Sequence, residues 1–337
     1  VIEGLAPHLS RPCLVVGKST VPVGTASRLA TVLAERSPAG RAAELAWNPE
    51  FLREGLAVQD TLRPDRLVAG VTSSHADAVL RAVYAPMIEA GIPYMTTDLA
   101  TAELVKVAAN AFLATKISFI NAIADICDAA GADVVTLAEA LGRDSRIGRG
   151  ALSAGLGFGG GCLPKDIRAL MARAQELGVA DSLAFLHEVD ELNTRRRART
   201  VTLARELAGG SLQGRRVAML GAAFKPGSDD IRDSPALAVA TTVHSEGAIV
   251  RVHDPVAIDN ARKAFPFLDY APEPEKACER ADIVLHVTEW REYRDIDPAA
   301  LRSLVSEPRL VDARNALPLD RWRAAGWVAR ALGQGWR

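Results

Sequence analysis

Residues 216–254 read RVAMLGAAFKPGSDDIRDSPALAVATTVHSEGAIVRVHD. An apolar run, Arg216–Gly221, passes through a loop into a helical pattern near Ala236–Glu246 and returns as a second apolar run, Ala248–Asp254. This order predicts a βαβ unit with an acidic residue closing its second strand. Two further apolar runs extend the predicted sheet, Ile283–Val287 and Arg309–Asp312. This half of the chain is therefore expected to be an α/β domain.

Apolar runs also alternate with helical patterns in the first hundred residues. The predicted strands are Cys13–Gly17, Leu45–Trp47, Arg66–Val71 and Tyr94–Thr97. Helical patterns lie between them, one through Leu29 and Leu33 and another around Ala76–Tyr84. The alternation predicts a second, mostly parallel sheet.

Between the two α/β regions, residues 100–130 contain neither Gly nor Pro and predict one long helix that ends at Gly131. The helix is apolar around most of its girth, so we expect it to be buried on several faces, partly against a second copy of the chain in a homodimer. Lys106, Asn110 and Asn121 project from nearly one side. They form either a solvent-facing stripe or a pocket in which Lys106 faces an oxyanion and Asn110 donates a hydrogen bond.

The predicted fold class is α/β, with two Rossmann-like parallel-sheet domains joined by a long central helix. The domains are expected at residues 1–98, 99–208 and 209–337. Gly155–Gly160 matches G-x-G-x-x-G, but no strand precedes it and no βαβ frame follows, so we reject it as a dinucleotide fingerprint. Its glycines are expected to let the backbone approach a ligand closely. No other segment supplies the fingerprint, so the first cofactor-binding turn is missing from the sequence.

Composition excludes several classes of function. Forty Lys and Arg against 41 Asp and Glu leave a net charge of -1, which gives no long-range attraction for nucleic acid or an anionic membrane. Four cysteines without a C-x-x-C pair and six unclustered histidines predict free thiols, a reducing compartment such as the cytoplasm, and no metal site. We find no apolar run near the roughly eighteen residues of a membrane helix. Since the chain begins at Val1, it is expected to be a fragment.

Cys162 is the candidate nucleophile. It follows a glycine run and precedes Pro164, which suits the start of a helix, and both a helix N-terminus and Lys165 would favour the reactive thiolate. The other three cysteines lie in apolar patterns and are expected to be inert. The arginine run at 195–199 is interpreted as a solvated helix face rather than a phosphate site.

The segment Asn48–Gly55 has an N-cap residue and a Pro at the first helical position, which predicts a helical turn. Glu50 and Glu54 would then stack on one face of that turn. One carboxylate could activate water while the other orients a ligand, or both could simply complement the helix dipole.

Five segments together resemble the UDP-glucose/GDP-mannose dehydrogenase family, and their order and spacing agree along nearly the whole chain. They are Lys18–Thr25, Asn48–Gly55, Glu103–Asn110, Gly157–Asp166 and Phe224–Arg232. The resemblance implies NAD as cofactor and a four-electron oxidation at C6 of a nucleotide-bound sugar. Cys162 would capture the aldehyde as a thiohemiacetal, and a second hydride transfer would give a thioester that water hydrolyses. Arg63–Arg66 favours UDP-glucose, whereas Leu163 leaves GDP-mannose and UDP-acetamido sugars open.

The same resemblance implies residue roles. Lys106 would stabilise the oxyanion, Asp166 would hold the water or proton path, and Glu50 would activate the hydrolytic water, with Thr20 and Asn110 in support. The implied cofactor contacts are Glu54, Arg232, Thr20 and Lys165. The implied substrate contacts are Phe51, Leu52, Lys106, Asn110, Ser153, Gly157, Phe158, Gly159, Phe224, Lys225, Arg314 and Arg146, the last reaching the neighbouring subunit's site.

The sequence departs from the family by lacking the N-terminal part of the NAD-binding domain, so the chain alone is expected to reduce little NAD⁺. Two rival interpretations remain. One is a two-electron hydroxyacid dehydrogenase, which has a similar layout and needs no thiol. The other is a binding-only remnant that retains the nucleotide-sugar site.

Overall fold

The computed structural model describes residues 1–335. The chain divides into two compact units. The first comprises Val1–Ala111 and Asp166–Leu183, and the second comprises Phe112–Lys165 and the described chain from Ala184 onward. Each unit contains its own sheet.

The first unit is built on a four-stranded sheet in the order β1-β2-β3-β4. The strands are β1 Cys13–Gly17, β2 Ala43–Trp47, β3 Leu67–Gly70 and β4 Tyr94–Thr97. The helices around them are α1 Ile2–Leu5, α2 Thr25–Arg36, α3 Ala57–Leu62, α4 Ser74–Val83 and α5 Ala85–Glu89, with 3-10 turns at Ala6–His8 and Gly40–Ala42. The four predicted strands are confirmed within two residues at each end. The sheet is parallel except where β2 meets β3 antiparallel through Trp47 and Gly70.

Local sequence explains these elements. Strand β2 is almost entirely buried because Leu45 and Trp47 pack with Leu33 of α2 in one apolar cluster. Helix α4 begins where the Ser73 hydroxyl accepts a hydrogen bond from the Ala76 N–H, which satisfies one of the donors that a helix start leaves open.

The predicted long helix is confirmed as α6, Leu99–Ala130. Gly131, at φ 72°, ends it, because a residue in the left-handed region after the last turn favours glycine. Within residues 1–335, α6 is also long and apolar enough to cross a membrane by length and composition. The expectation that no stretch reaches that limit is therefore wrong, because a search for unbroken apolar runs stops at each polar residue. The core helix of a soluble protein passes the same test.

The second unit carries a six-stranded, fully parallel sheet in the order β10-β9-β8-β5-β6-β7. The strands are β5 Arg216–Leu220, β6 Ile249–His253, β7 Asp269–Tyr270, β8 Ile283–His286, β9 Arg309–Asp312 and β10 Val328–Ala331. The helices after α6 are α7 Val134–Gly142, α8 Leu163–Glu176, α9 Phe185–Leu207, α10 Pro235–Ser245, α11 Ile258–Ala264, α12 Pro274–Cys278, α13 Arg291–Arg294, α14 Pro298–Arg302 and α15 Leu319–Ala324, with a 3-10 turn at Ala180–Leu183. The predicted βαβ unit is β5-α10-β6.

This strand order is that of the doubly wound Rossmann fold, in which the order reverses between the first and fourth strands. Here these strands are β5 and β8, and both are apolar and buried because helices cover both faces of the sheet. In such sheets ligands bind beyond the carboxyl ends of the strands at the reversal point. Leu220 and His286 mark that edge in the second unit.

Candidate active site

Four of the six predicted catalytic residues lie together in the first unit. Lys106 and Asn110 are one turn apart on α6, and both are nearly buried at 6% and 8% exposure. The Asn110 side-chain amide donates to Oδ2 of Asp166 at 2.6 Å, and Asp166 is 2% exposed. The Lys106 ammonium lies 3.8 Å from a carboxylate oxygen of Glu50. The solvent-facing alternative for Lys106, Asn110 and Asn121 is therefore wrong.

The predicted helical turn at residues 48–55 is wrong. Asn48 is buried, and its side chain accepts from the Lys18 ammonium at 2.6 Å and from the Tyr84 hydroxyl at 2.5 Å while donating to the Val68 carbonyl. These tertiary bonds occupy the group that would have capped a helix. The segment is a loop in which a Glu50 oxygen accepts from the Leu52 N–H at 2.6 Å, so Glu50 and Glu54 do not stack on a helical face.

Phe51 and Leu52 follow Glu50 in this loop. The centre of the Phe51 ring lies 4.1 Å from the Arg66 guanidinium carbon and 5.5 Å from the Lys106 ammonium, so the ring face helps to orient the Lys106 ammonium. Leu52 is exposed. Arg53 anchors the loop, because its backbone N–H and guanidinium all donate to Asp60, which is 9% exposed.

The carboxyl ends of β1 and β2 lie side by side, with Gly17 paired to Trp47. This edge carries Lys18, Thr20 and, further along the loop, Glu54. Their ammonium, hydroxyl and carboxylate groups are the donors and acceptors that the phosphates and ribose hydroxyls of a dinucleotide require, at the edge where such sheets bind nucleotides. The residues of the first unit therefore fit NAD. Glu103 fixes the start of α2 nearby by accepting from the N–H groups of Gly24 and Ala26, at 2.7 and 2.6 Å.

Cys162 belongs to the second unit, is exposed, and directly precedes α8, as predicted for a thiol at a helix start. The preceding glycines are explained by close approaches. A side chain at Gly159 would clash with Asp233 and Pro235, one at Gly160 with Phe224, and one at Gly161 with Arg232. The glycine run therefore follows the loop after β5 more closely than any other residue type would allow.

The other cysteines behave as expected for packing residues. Burial raises the pKa of Cys278 to about 12 and also raises the pKa of Cys127. Cys13 lies in β1. The structure thus leaves Cys162 as the exposed thiol among the described residues.

A cavity of about 300 Å³ lies in the second unit, beside the predicted substrate loop. Ser153 and Gly157 line it together with three arginines, Arg149, Arg294 and Arg314, and one carboxylate, Glu289. Arg149 pairs with Glu139 at 2.6 Å, so the three arginines and these two carboxylates leave one net positive charge, which suits an anionic group such as a diphosphate. Arg149, Arg294 and Glu289 were not identified from the sequence, because single charged residues in unrelated segments carry no local signal.

Arg314 connects the walls of this cavity. Its guanidinium donates to the carbonyls of Gly157 and Val287, each at 2.8 Å, and of Phe224 at 3.4 Å, and it lies 3.2 Å from Glu289. The predicted substrate contacts Phe224 and Arg314 are thereby brought together with Gly157. Lys225 places its ammonium 5.4 Å from the Phe224 ring centre. Phe158 and Gly159 are buried, and Ser153 is exposed at the rim.

Asp254, at the end of β6, occupies the position where dinucleotide-binding domains carry a ribose-binding acid. Here one oxygen accepts from Ala222 N–H at 2.8 Å, Ala223 N–H at 2.9 Å and the Trp290 indole at 3.0 Å. The other accepts from Val256 and Ala257 N–H groups at 3.0 and 2.9 Å. The carboxylate is 1% exposed and holds the turn after β5 rather than facing a ligand.

Three further predicted contacts are exposed. Arg146 pairs with Asp144 at 2.6 Å, and Arg232 pairs with Asp230 at 2.6 Å. Lys165 lies in the first turn of α8. Their predicted roles toward a partner's site and NAD remain predictions.

The interpretation of the arginine run as a solvated face is wrong for Arg196. This residue is 1% exposed and pairs with Asp125. Burial, opposed by the charges of Asp125 and Asp128, lowers the pKa of Arg196. Its neighbour Arg195 does face solvent.

Comparison with known proteins gives matches along nearly the whole chain. Sequence models of the UDP-glucose/GDP-mannose dehydrogenase family match with its NAD binding domain at residues 1–88, its central domain at 100–195 and its UDP binding domain at 218–319. The chain is 40% identical to a UDP-glucose 6-dehydrogenase of Rickettsia typhi over 98% of this chain and 76% of that protein. It is 42% identical to one of Rhizobium meliloti, over 98% and 75%.

A solved structure of a UDP-glucose dehydrogenase from Pyrobaculum islandicum superposes with a TM-score of 0.88 at 34% identity, covering 99% of this chain and 74% of that one. The match of the NAD binding domain to residues 1–88 corrects one expectation. The N-terminal part of that domain was expected to be lacking because one Gly-rich turn was not found, yet the family's model of this domain matches the chain. The expectation that the chain alone reduces little NAD⁺ stays a prediction.

Proposed function

We propose, from the premise that this chain belongs to the UDP-glucose/GDP-mannose dehydrogenase family, that it oxidises UDP-glucose to UDP-glucuronate with two NAD⁺. Membership of this family identifies the chain as an NAD-dependent nucleotide-sugar dehydrogenase with an NAD binding domain. UDP-glucose as the substrate and the covalent route through Cys162 are the proposal. The observation that carries the chemistry is the set of buried Lys106, Asn110 and Asp166 with the partly exposed Glu50 beside Lys106.

The reaction consumes one water and releases a carboxylate. The sugar C6 alcohol loses a hydride and a proton to give an aldehyde, and the Cys162 thiolate adds to its carbonyl carbon to form a thiohemiacetal. Loss of a second hydride and proton gives a thioester, and water cleaves the carbon–sulfur bond to return the thiol. NAD⁺, when bound, accepts the hydride in each oxidation, so two NADH form for each sugar.

The buried cation of Lys106 has a defined part in this scheme. Its ammonium is 7% exposed and is oriented by Glu50 and by the Phe51 ring. A fixed cation shielded from water stabilises an alkoxide or tetrahedral oxyanion more strongly than a solvated one. Lys106 therefore stabilises the negative oxygen at C6 in each step and assists its proton transfer.

The carboxylates divide the remaining proton transfers. Asn110 holds Asp166 by the 2.6 Å hydrogen bond, which fixes the carboxylate that handles the water or proton path beside the thiol. Glu50 activates the hydrolytic water, and Thr20 supports that water. Glu54, Thr20, Lys165 and Arg232 contact NAD. Covalent capture keeps the aldehyde bound while the reduced cofactor leaves.

The cavity in the second unit is proposed as the site of the nucleoside diphosphate. Its three arginines complement two phosphates, and Arg314 fixes the backbone of its walls. Phe224, Lys225 and the loop from Ser153 to Gly159 complete the substrate site. GDP-mannose and UDP-acetamido sugars are the alternative substrates.

A homodimer through α6 is part of the proposal. Phe112, Phe119 and Ile126 are 65%, 51% and 61% exposed and recur every seven residues, so they form one apolar stripe. Fourteen residues of helix extend about 21 Å. A second copy is the occupant that can present an identical stripe, with Arg146 reaching its site. An exposed thiol in Cys162 fits a reducing compartment, the cytoplasm.

The test measures NADH formed per nucleotide sugar by the purified protein, with UDP-glucose, GDP-mannose and UDP-acetamido sugars compared. Two NADH per UDP-glucose are expected, and Cys162→Ser is expected to stop before the acid is formed. Cys13→Ser is the matched control, because Cys13 lies in a strand of the first unit. Unchanged acid production by Cys162→Ser would refute the covalent route and favour a two-electron enzyme. UDP binding without any NAD⁺ reduction would favour the binding-only alternative.

A further inference from the structure

The loop at residues 153–159 is held by side chains of two helices, α6 and α9. The Gly155 N–H donates to Oδ1 of Asn121 at 2.8 Å, and the Gly155 carbonyl accepts from Nε of Arg196 at 3.1 Å. Three residues further on, Asn193 accepts from the Phe158 N–H at 2.7 Å and donates to the Phe158 carbonyl at 2.9 Å. The N–H and carbonyl groups of both Gly155 and Phe158 are thus held by polar side chains.

These three side chains are fully enclosed. Asn121, Arg196 and Asn193 are 0%, 1% and 2% exposed. Within residues 1–335, the amide nitrogen of Asn121 and one terminal nitrogen of Arg196 find no hydrogen-bond acceptor. An unsatisfied buried donor costs about 1–3 kcal/mol.

Stability does not explain a buried arginine here. Its partner Asp125 is 52% exposed, so the pair gains little, and replacing a buried ion pair by apolar residues is often neutral or stabilising. Arg196 also lies on the apolar stripe of α9 that includes Val189 and Leu203, where an apolar residue would pack without desolvating a charge. The feature that only a polar residue supplies at this position is the hydrogen bond to Gly155.

The side chains of the loop fix only part of its shape, because Leu156 packs in the apolar cluster of the second unit whereas the glycines have no side chain to pack. Gly155 and Gly157 line the cavity, and a side chain at Gly157 would clash with Asn193. Backbone without side chains can approach a ligand closely, but it loses more conformational freedom on ordering. The ordering must therefore come from neighbouring elements.

We infer that Arg196, Asn193 and Asn121 are positioning residues that preorganise the loop at residues 153–159 for the nucleoside diphosphate. The inference rests on the proposed function of the cavity, and it extends that function to residues that line no part of it. We call these three side chains the clamp. Because the clamp orders the loop before the ligand binds, loss of the clamp weakens affinity for the nucleotide and raises KM for the nucleotide sugar more than it lowers kcat.

The test compares Arg196→Met with Arg195→Met, the same substitution one residue away at a side chain 56% exposed. Calorimetric titration with UDP alone gives the affinity, and urea unfolding gives the stability. Arg196→Met is expected to weaken UDP binding at least tenfold, with stability retained and the KM effect exceeding the kcat effect. Arg195→Met is expected to change none of these. Equal UDP affinity in both variants, or an affinity loss only in step with lost stability, would overturn the inference.

Amide hydrogen exchange of the peptide spanning residues 152–162 separates this inference from the proposed function. Exchange without ligand is expected to accelerate in Arg196→Met and in Asn193→Leu, but not in Arg195→Met. If the wild-type protein did not bind UDP, the proposed function would be refuted. The exchange data would still test whether Arg196 and Asn193 order the loop. Unaltered exchange in both clamp variants would refute the clamp, whatever the protein binds.

Discussion

Replacing Asp254 by Asn tests whether the acid at the end of β6 is structural or a ribose ligand. The carboxylate accepts five hydrogen bonds, three on one oxygen and two on the other. An amide has one oxygen, so its NH₂ group must face one of the two sets of donors. The less costly orientation turns the NH₂ toward Val256 and Ala257.

The size of the effect follows from that count. The buried Ala257 N–H loses its acceptor at a cost of about 1–3 kcal/mol, and the half-exposed Val256 N–H costs less because water can reach it. The three remaining bonds lose their charge assistance, which roughly doubles the strength of such bonds. We expect the free energy of unfolding of the second unit to fall by about 3 kcal/mol. UDP affinity should fall as well, because Ala222 and Ala223 form the turn at the reversal point.

Urea unfolding followed by tryptophan fluorescence measures the first quantity, since Trp290 and Trp322 lie in the second unit. Asp259→Asn is the control, because Asp259 is 85% exposed and makes one surface ion pair with Arg262. Calorimetry with UDP measures the second quantity. Lost UDP affinity with unchanged stability would mean that Asp254 is a ligand and would refute this reasoning, as would destabilisation no larger than that of the control.

Three other changes have definite expected outcomes. Phe119→Glu places a charge in the apolar stripe of α6 and should convert the proposed dimer to a monomer in light scattering, whereas Val58→Glu, at a still more exposed valine on α3, should not. Asn110→Leu removes the 2.6 Å bond to buried Asp166 and should lower kcat about ten- to hundredfold, with UDP affinity in calorimetry unchanged. Burial alone would raise the pKa of Asp312, but His286 and the N–H groups of Arg314 and Leu317 outweigh burial and hold this pKa below its usual 3.8. The ionised Asp312 carboxylate therefore stabilises the fold above pH 3.8, and this stabilisation is lost as the pH falls through the lowered pKa. Asp312→Asn should therefore destabilise more at pH 6 than at pH 3 in thermal unfolding, unlike exposed Asp320→Asn; equal losses at both pH values would contradict this.

The elements predicted correctly from sequence are those whose signal is local. The α6 helix is specified by a stretch of 32 residues that contains neither Gly nor Pro. The β5-α10-β6 unit is specified by an apolar run, a helical spacing of apolar residues and a second apolar run. The glycine run before Cys162 does permit a close backbone approach, but to the loop after β5, and the expected approach to a ligand stays a prediction. In each case the residues that decide the structure are neighbours in the chain.

The failures have a tertiary origin. Asn48 carries a valid helix-cap signature, yet its side chain bonds instead to Lys18 and Tyr84, which are 30 and 36 residues away. The cavity residues come from two distant segments, one with Arg149 and the other with Glu289 and Arg294. No pattern within one segment could have indicated these contacts.

The error on Arg196 is different, because a signal was present. The buried positions of α9 include Leu186, Val189, Asn193, Arg196, Thr200, Leu203 and Leu207, which recur at alternating spacings of three and four. That spacing defines the inward face of a helix, so the apolar period of α9 places Arg196 on the buried side. The composition around it, a run of arginines, instead suggested a solvated face. Period should have been given more weight than composition, because the side of a helix that a residue occupies depends on its position and not on its neighbours' charge.

The same argument explains two of the three polar residues on this inward face, which are Asn193, Arg196 and Thr200. A loop that must bring bare backbone to a ligand is built of glycines, and glycines supply no side chains with which to pack. Beside the anchoring by buried Leu156, the shape of such a loop is then set by hydrogen bonds to its peptide groups, and only side chains longer than serine, on helices already fixed by their apolar contacts, can reach them. Asn193 and Arg196 satisfy that requirement for Phe158 and Gly155. The buried Asn193 and Arg196 of α9 therefore hold the backbone that the loop glycines leave without side-chain packing. Without those glycines, the loop would not need hydrogen bonds from buried polar residues of α9.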